Sequence, residues 1–422
     1  MGKGQINLKK IKILSFMLSI IYIVFIFCGC GTQYLGGNRV ERWKKDLNYL
    51  QEALPNKHVN LFFKLSEDDF NNKIEELKID LNNLNDEEIE NKVYEIVASI
   101  GDAHTKLYKQ YDYRFPLNFW YFGEDLYLIN TTEEYNNALY CKVEAIDGYD
   151  IRKVEEKLKK LIVQANKSNI KKTLPALLSR PDILKGAGII NNEDSVIFTF
   201  KDSNDDYFDL EIESVLNSDI KDIMIMDDPE DESNPLYRQH SDLNYWYKYF
   251  DDSKTLYFKY NRCLSSKKPD DIEQVINEVC NYINSGNINK FVIDMRNNSG
   301  GSDGYLSPII DKILSGDLNT PNKFYVIVGR ETFSSAIIES CNIRQNTNAT
   351  FVGESTSGTP RHYGATKNFS LPNSKMQISY STKFIDMSDD YNDSFVPNKT
   401  IELSIDDYKN KMDPIMEYIK NE

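Results

Sequence analysis

The stretch KFVIDMRNNSGG, Lys290–Gly301, decides the reading of this chain. A mostly apolar run, Phe291–Met295, has the composition of a strand covered on both faces. It stops at an arginine, two asparagines, a serine and two glycines, and Asn and Gly are the residues that let a backbone turn and take positive φ. The alternation continues on either side. A strand at Leu256–Tyr260 precedes a helix with Ile272, Val275, Ile276, Val279 and Ile283 on one face, and a helix holding Leu306, Ile309, Ile310 and Leu314 follows the Asn/Gly loop. A strand at Phe324–Val328 runs into GRETFSSA and a further helix, and one at Thr350–Val352 runs into GESTSGTPRHYG. Repeated strand, loop and helix predicts an α/β layer sheet. In such sheets chemistry gathers in the loops beyond the strands' C-terminal ends. Three loops qualify: Arg296–Gly304, Gly329–Ser335 and Gly353–Gly364.

Each loop has an ordinary explanation beside a chemical one. Ser334 and Ser335 open a helix, where serine is a preferred N-cap. The same place offers unpaired N–H groups and a partial positive charge, which favour an alkoxide or oxyanion. Gly300 and Gly301 suit a turn, yet they also let backbone N–H groups approach a reacting atom without a Cβ in the way. If the two loops adjoin, Gly300 or Gly301 with the Ser335 N–H would make an oxyanion hole. A serine nucleophile needs a base. Of the four histidines, His104 follows a helix stop in a short polar turn, a better address than His58 at a helix–loop junction or His240 in a linker. His362, in the third loop, is also within reach.

The whole chain has 422 residues and a formal net charge of -15, which disfavours nucleic acid as a partner, since phosphates need a basic face. The N-terminus differs in kind. Lys3, Lys9, Lys10 and Lys12 precede the apolar Ile13–Phe27, and CGC follows, the layout of a secretory signal. Phe27-Cys28-Gly29-Cys30 resembles a bacterial lipobox, so residues 1–29 are expected to be a lipoprotein signal peptide and Cys30 the lipidated residue. The other reading is an uncleaved anchor, whose apolar stretch lies near the lower limit of roughly 17 residues for a span. Both place the bulk of the chain outside the cytoplasmic membrane, and the first anchors it there as a lipoprotein.

Residues 30–110 are expected to form a tether and an N-terminal helical segment. Val40, Trp43, Leu47, Leu50 and Leu54 recur at helical spacing until Pro55, Ser66 with Asp69 resembles a capping box, and Asp86 is read as the cap of a third helix that Gly101 stops. From 111 to 235 the period shifts toward two, in LYLIN, CKVEAI, SVIFTF and YFDLEIESV, with Asp147-Gly148 as a turn and the acidic Asp227–Asn234 as a solvated linker. Residues 236–422 hold the α/β layer. Cys141, Cys263, Cys280 and Cys341 are widely separated and form no ligand-type pair, so a metal is weakly supported, and no organic cofactor is expected. Cys280 suits the apolar face of its helix as a small buried residue.

Read together, FVIDMRNNSGG, GRETFSSA and FVGESTSG are similar to the three core motifs of the tail-specific, or C-terminal processing, serine peptidases, and SIGDAHT resembles the Asp-x-His-Thr turn ahead of that family's substrate-binding region. CKVEAIDGYDI looks like the tail of its PDZ-like insert, although a glycine-rich carboxylate-binding loop is not recognisable here. The resemblance covers most of residues 90 to 400 and is strongest in Phe291–Gly358. It implies a crotonase/ClpP-like catalytic domain behind a reduced PDZ-like β region, and hydrolysis of protein or peptide substrates. It places the nucleophile at Ser334 and the oxyanion donors at Gly300, Gly301 and the Ser335 amide.

In the better-known branch of the family a lysine follows the last motif. Here that position is Thr359, followed by Pro360, Arg361 and His362; an arginine does not deprotonate in proteins, and Lys367 is too far along. The chain therefore resembles the branch with a Ser-His-carboxylate arrangement, as in the tricorn core and chlamydial proteases, which places the base at His104. The third member stays open among Asp389, Asp390, Asp393 and Asp102. The rival expectation is a catalytically inactive peptide- or ligand-binding lipoprotein on the same fold, since a fold does not fix a function.

Overall fold

Three helices open the described chain: α1 (Arg39–Lys57), α2 (Glu67–Asp80) and α3 (Asp86–Ser99). The structure is a computed structural model that describes residues 37–225, 230–265, 272–387 and 393–422. The expected signal segment 1–29, Cys30, Asp389 and Asp390 lie outside the described residues. Ser66 caps α2 by accepting from Asp69 N. Two expectations about the helix ends are corrected. α1 runs through Pro55 to Lys57, because a proline in the last turn removes one backbone bond while His58 N–H still reaches Leu54 O at 3.0 Å. The cap of α3 is Asn85, whose side chain accepts from Glu88 N while the Glu88 carboxylate accepts from Asn85 N. Asp86 instead accepts from Arg39 and Trp43 of α1.

The next layer is antiparallel: β1 (Asn118–Phe122), β2 (Asp125–Asn130), β3 (Lys142–Ile146), β4 (Ser195–Lys201) and β5 (Tyr207–Glu213) pair in that order. Phe119, Leu128, Val143, Phe198 and Phe200 fill its core. Asp147 and Gly148 both take positive φ, 46° and 74°, as a tight hairpin turn requires. Between β3 and β4 the chain makes α4 (Lys167–Leu177), which packs on β1.

The remaining chain alternates: β6 (Tyr245–Phe250), β7 (Thr255–Tyr260), α5 (Ile272–Asn284), β8 (Lys290–Asp294), α6 (Ser307–Leu314), β9 (Phe324–Val328), α7 (Ser335–Asn346) and β10 (Thr350–Gly353). A hairpin of β11 (Arg361–Ser370) and β12 (Gln377–Asp386) follows, then β13 (Lys399–Thr400) and α8 (Pro414–Asn421). Among the described residues the sheet order is β6-β7-β8-β9-β10-β13, parallel from β7 onward. Side chains alternate between its faces. Leu256, Phe258, Phe291, Ile293, Phe324 and Val326 meet α5, α6 and α7, while Tyr257, Val292, Tyr325 and Ile327 meet Ile415, Met416 and Ile419 of α8. Both faces are covered, which is why the strands read as unbroken apolar runs.

The β11–β12 hairpin leaves this sheet. β12 pairs with the short strand Lys106–Tyr108, and Leu371, Met376, Ile378 and Tyr380 join the core of α1, α2 and α3. The third loop is therefore shorter than its sequence suggests: His362 lies on β11, not in a loop. Because the strand after His104 pairs with the partner of β11, the two histidines are brought together. Among the described residues no helix is long and apolar enough to cross a membrane.

Candidate functional site

The Asn/Gly loop is bonded at almost every residue. Asp294, which ends β8 and is fully buried, accepts from the Tyr257 hydroxyl at 2.7 Å and from the Arg296 N–H at 3.0 Å, with Lys259 Nζ at 3.2 Å. Burial works to raise its pKa, but Arg296 and Lys259 hold it at about 2. Arg296 reaches on to Asp413 with two bonds of 3.1 and 2.9 Å. Asn297 accepts from Lys259 Nζ at 2.8 Å and donates to Glu331 at 2.7 Å. Asn298 donates to Tyr260 O at 2.9 Å, accepts the Gly300 N–H at 2.9 Å, and its carbonyl accepts the Phe333 N–H at 3.0 Å. Thr332 Oγ1 donates to Met295 O at 2.8 Å and accepts the Gly329 N–H. These bonds fix the loop after β8 against the loop after β9.

Ser334 stands at that junction. It occupies the N-cap place of α7 with φ 56° and ψ -127°, a conformation uncommon for a residue with a side chain, and its hydroxyl makes no capping bond. Gly300 lies against it with φ 101°; a Cβ there would fall 2.7 Å from Ser334 Cβ and 3.0 Å from Ser335 N. Gly301, at φ 139°, has no room either, since a Cβ would meet Cys263 O. Ser335 Oγ donates to Gly301 O at 2.7 Å, so all four residues named by the sequence form one cluster. The Gly300 amide is given to Asn298, as noted, whereas its missing side chain is what leaves room at Ser335 N.

His104 packs on Phe333, the residue before Ser334. Its ring stacks on Phe333, centroids 4.4 Å apart, and on His362 at 5.2 Å. Its ring nitrogens and His362 Nε2 are buried without a hydrogen-bond partner among the described residues. His362 Nδ1 lies 2.7 Å from Thr359 O. Burial, then the neighbouring His362, pushes the His104 imidazole down to about 3, and burial also lowers His362. Asp102 serves the backbone of His104, not its ring: Oδ1 accepts the His104 N–H at 3.0 Å. Asp102 Oδ2 accepts from Thr105 and Ser381 at 2.6 Å each and faces His58 Nε2 at 3.1 Å. His58 Nδ1 accepts from Asn60 N, which leaves the proton on Nε2 to face Asp102. Burial works to raise the Asp102 pKa, but these bonds hold it below the usual carboxylate range. Asp393 lines the same cavity of about 470 Å³ as Asp102, Thr359 and His362. His240 is elsewhere, packed edge-on to Trp246 and 2.9 Å from Glu230.

Two lysines beside the site were not singled out by the sequence. Lys106 Nζ sits 5.1 Å and Lys172 Nζ 4.8 Å from the centre of the Phe333 ring. Lys172 belongs to α4, so the antiparallel layer reaches the loop of Ser334. Arg330 makes a second bridge, donating to Tyr121 O of β1 at 2.7 Å and to Glu354 at 2.8 Å.

No protein-family model and no curated protein sequence matches the chain. Solved structures do. Mature CPAF complexed with lactacystin is 12% identical over 90% of this chain and 97% of that one, with a TM-score of 0.63. Mature CPAF is 13% identical over 90% and 96%, with a TM-score of 0.62. The photosystem II D1 C-terminal processing protease is 11% identical over 86% and 93%, with a TM-score of 0.39. At such identities the likeness to CPAF speaks to the fold, over nearly the full length of both chains. The resemblance drawn from the motifs thus has its counterpart in the fold.

Proposed function

We propose that this chain is a serine-type peptidase with a crotonase-like catalytic layer, residues 236–422, and a reduced PDZ-like region, 111–235, held outside the cell membrane by a lipid on Cys30. The observation that carries the enzymatic reading is Ser334, held at positive φ at the head of α7, its hydroxyl unused by the helix, with side-chain-free Gly300 against it and His104 stacked on the residue before it. Ser334 Oγ attacks the peptide carbonyl while neutral His104 takes its proton. The oxyanion is met by the Ser335 N–H and the loop after β8, where Gly300 supplies the space and Gly301 the second N–H. His104 then returns the proton to the leaving amine, and water resolves the acyl-enzyme by the same steps reversed. Among the described residues both ring nitrogens of His104 are without partners, which suits a base that closes on the serine only when substrate is bound. The likeness to CPAF supports the peptidase reading at the level of fold.

A fluorophosphonate applied to the mature chain tests this. Labelling should fall on Ser334, vanish in Ser334→Ala and drop about 100-fold or more in His104→Ala. Undiminished labelling of His104→Ala would move the base to His362. A wild type that stays unlabelled from about pH 6 to 9 would leave the binding lipoprotein as the better reading. Anchoring is tested apart from chemistry: Cys30→Ser should release, or leave unprocessed, a chain that the wild type retains lipidated at the membrane.

A further inference from the structure

Phe333, immediately before Ser334, carries the two ammonium groups of Lys106 and Lys172 within about 5 Å of its ring. Both lysines are half-buried. Among the described residues neither makes an ion pair, in a chain with 65 acidic residues against 50 basic ones. Among the described residues Lys172 Nζ has two distant oxygens, Glu331 O and Ser357 Oγ, each at 3.4 Å. The nearby carboxylates are engaged elsewhere: Asp102 by His58, Thr105 and Ser381, and Glu331 by Asn297. Asp102 and Glu331 attract Lys106 and Lys172 through space without pairing with them; half-burying an ammonium group without an ion-pair partner is costly, and a ring face offsets only part of it.

We propose that Lys106 and Lys172 form a carboxylate-binding subsite beside the nucleophile, selecting substrates with a carboxylate close to the scissile bond. This rests on the reading of Ser334 as the nucleophile. The carboxylate can come from an acidic side chain or from a free chain end; the chemistry is shared, and Phe333, the residue before Ser334, sets the subsite next to the nucleophile. A charge-assisted pair of bonds is the interaction these groups otherwise lack. The electrostatics agree. Burial lowers both lysines, and Lys106 adds to the effect on Lys172, which is pushed down to about 8. The same two ammonium groups add to the burial and to His362 in depressing His104. A bound carboxylate neutralises them, so the right substrate also makes His104 a better base.

Three matched peptidyl fluorophosphonates test the subsite: one with a glutamate beside the phosphorus and an amidated end, one with glutamine and a free C-terminal carboxylate, one with glutamine and an amidated end. One of the two carboxylate probes should label Ser334 at least about tenfold faster than the neutral probe, and which one does so identifies the source. The ratio should fall toward one in Lys106→Met and Lys172→Met and persist in Lys172→Arg, which keeps the charge. Being a ratio within each protein, it is insensitive to how much of a variant folds. Equal rates for all three probes on the wild type overturn the subsite while leaving the nucleophile intact; a preference that survives both methionine variants overturns it too. A wild type labelled by none of them instead sinks the nucleophile reading, and the subsite with it.

Discussion

Two regions meet at Ser334, and they are built in opposite ways. In the loop Arg296–Gly301 the side chains of Arg296, Asn297 and Asn298 are bonded, to Asp294, Asp413, Lys259, Glu331 and Tyr260. The stack of Phe333, His104 and His362 has three ring nitrogens with no partner among the described residues. Buried polar groups are normally bonded, so the second region is the unusual one. The saturated half fixes where backbone N–H groups and the serine stand. On the proposed reading the unsaturated half holds the imidazole of His104, left open to exchange a proton with a reactant.

The comparison breaks most severely at Asp294. In Asp294→Ala, Lys259 and Arg296 remain buried without their shared counter-charge. Removing one partner of such a network costs about 3–5 kcal/mol, so the variant should unfold at far lower denaturant than the wild type. A denaturation midpoint within experimental error of wild type would show that the loop is not held by this network. Gly300→Ala is expected to be milder for stability and severe for chemistry. The methyl group would press on Ser334 Cβ and Ser335 N at a φ that L-residues avoid. Fluorophosphonate labelling should slow by about 100-fold, the loss seen when an oxyanion donor is displaced. A folded variant with wild-type labelling would remove Gly300 from the site.

How much of this was legible in the sequence follows the same division. Strand runs such as Phe324–Val328, followed at once by loop residues, announce an α/β sheet because burial on both faces erases polar alternation. The loop cluster of Ser334, Ser335, Gly300 and Gly301 was legible because short segments of adjacent parallel strands must end side by side. The environment of His104 was not. Asp102 reads as its neighbour, but its carboxylate is taken by His58 and by Ser381, 279 residues away. His362 reads as a loop residue because Gly, Thr and Pro precede it, whereas pairing with β12 makes it a strand. Lys172 carries no sequence signal of its own, and only the packing of α4 brings it beside Phe333. Each failure is a contact across the chain that no local spacing encodes.

His362→Phe sharpens the comparison without emptying the stack. A phenyl ring fills a similar volume but cannot carry charge. His362 is one of the groups that depress His104, so its removal should raise the His104 pKa. In the proposed mechanism the neutral imidazole is the working base, so labelling should fall as pH drops through its pKa. The acid limb of the labelling rate should therefore move to higher pH in the variant. A limb that stays put, or moves down, would mean that His362 does not act on His104 through charge.

The smallest expected effect is on stability against acid, and its pH window separates the two regions. His104 in the fold sits at about 3, below its ordinary value near 6.5, so between those pH values the unfolded chain holds a proton that the folded chain refuses. Stability then rises with pH across that window, and is lost as pH falls from about 6.5 toward 3. His362, also lowered by burial, adds in the same direction. Asp102 and Asp294 are lowered too, but as carboxylates their contribution is lost only as pH falls below the ordinary carboxylate range, near 4. Melting temperatures taken from pH 7 to about pH 5 thus report the open imidazole half while the saturated carboxylate half stays charged. His104→Phe should show a shallower fall over that range than the wild type. An equal slope would mean that His104 is protonated in the fold as readily as in the unfolded chain, which its burial between Phe333 and His362 argues against.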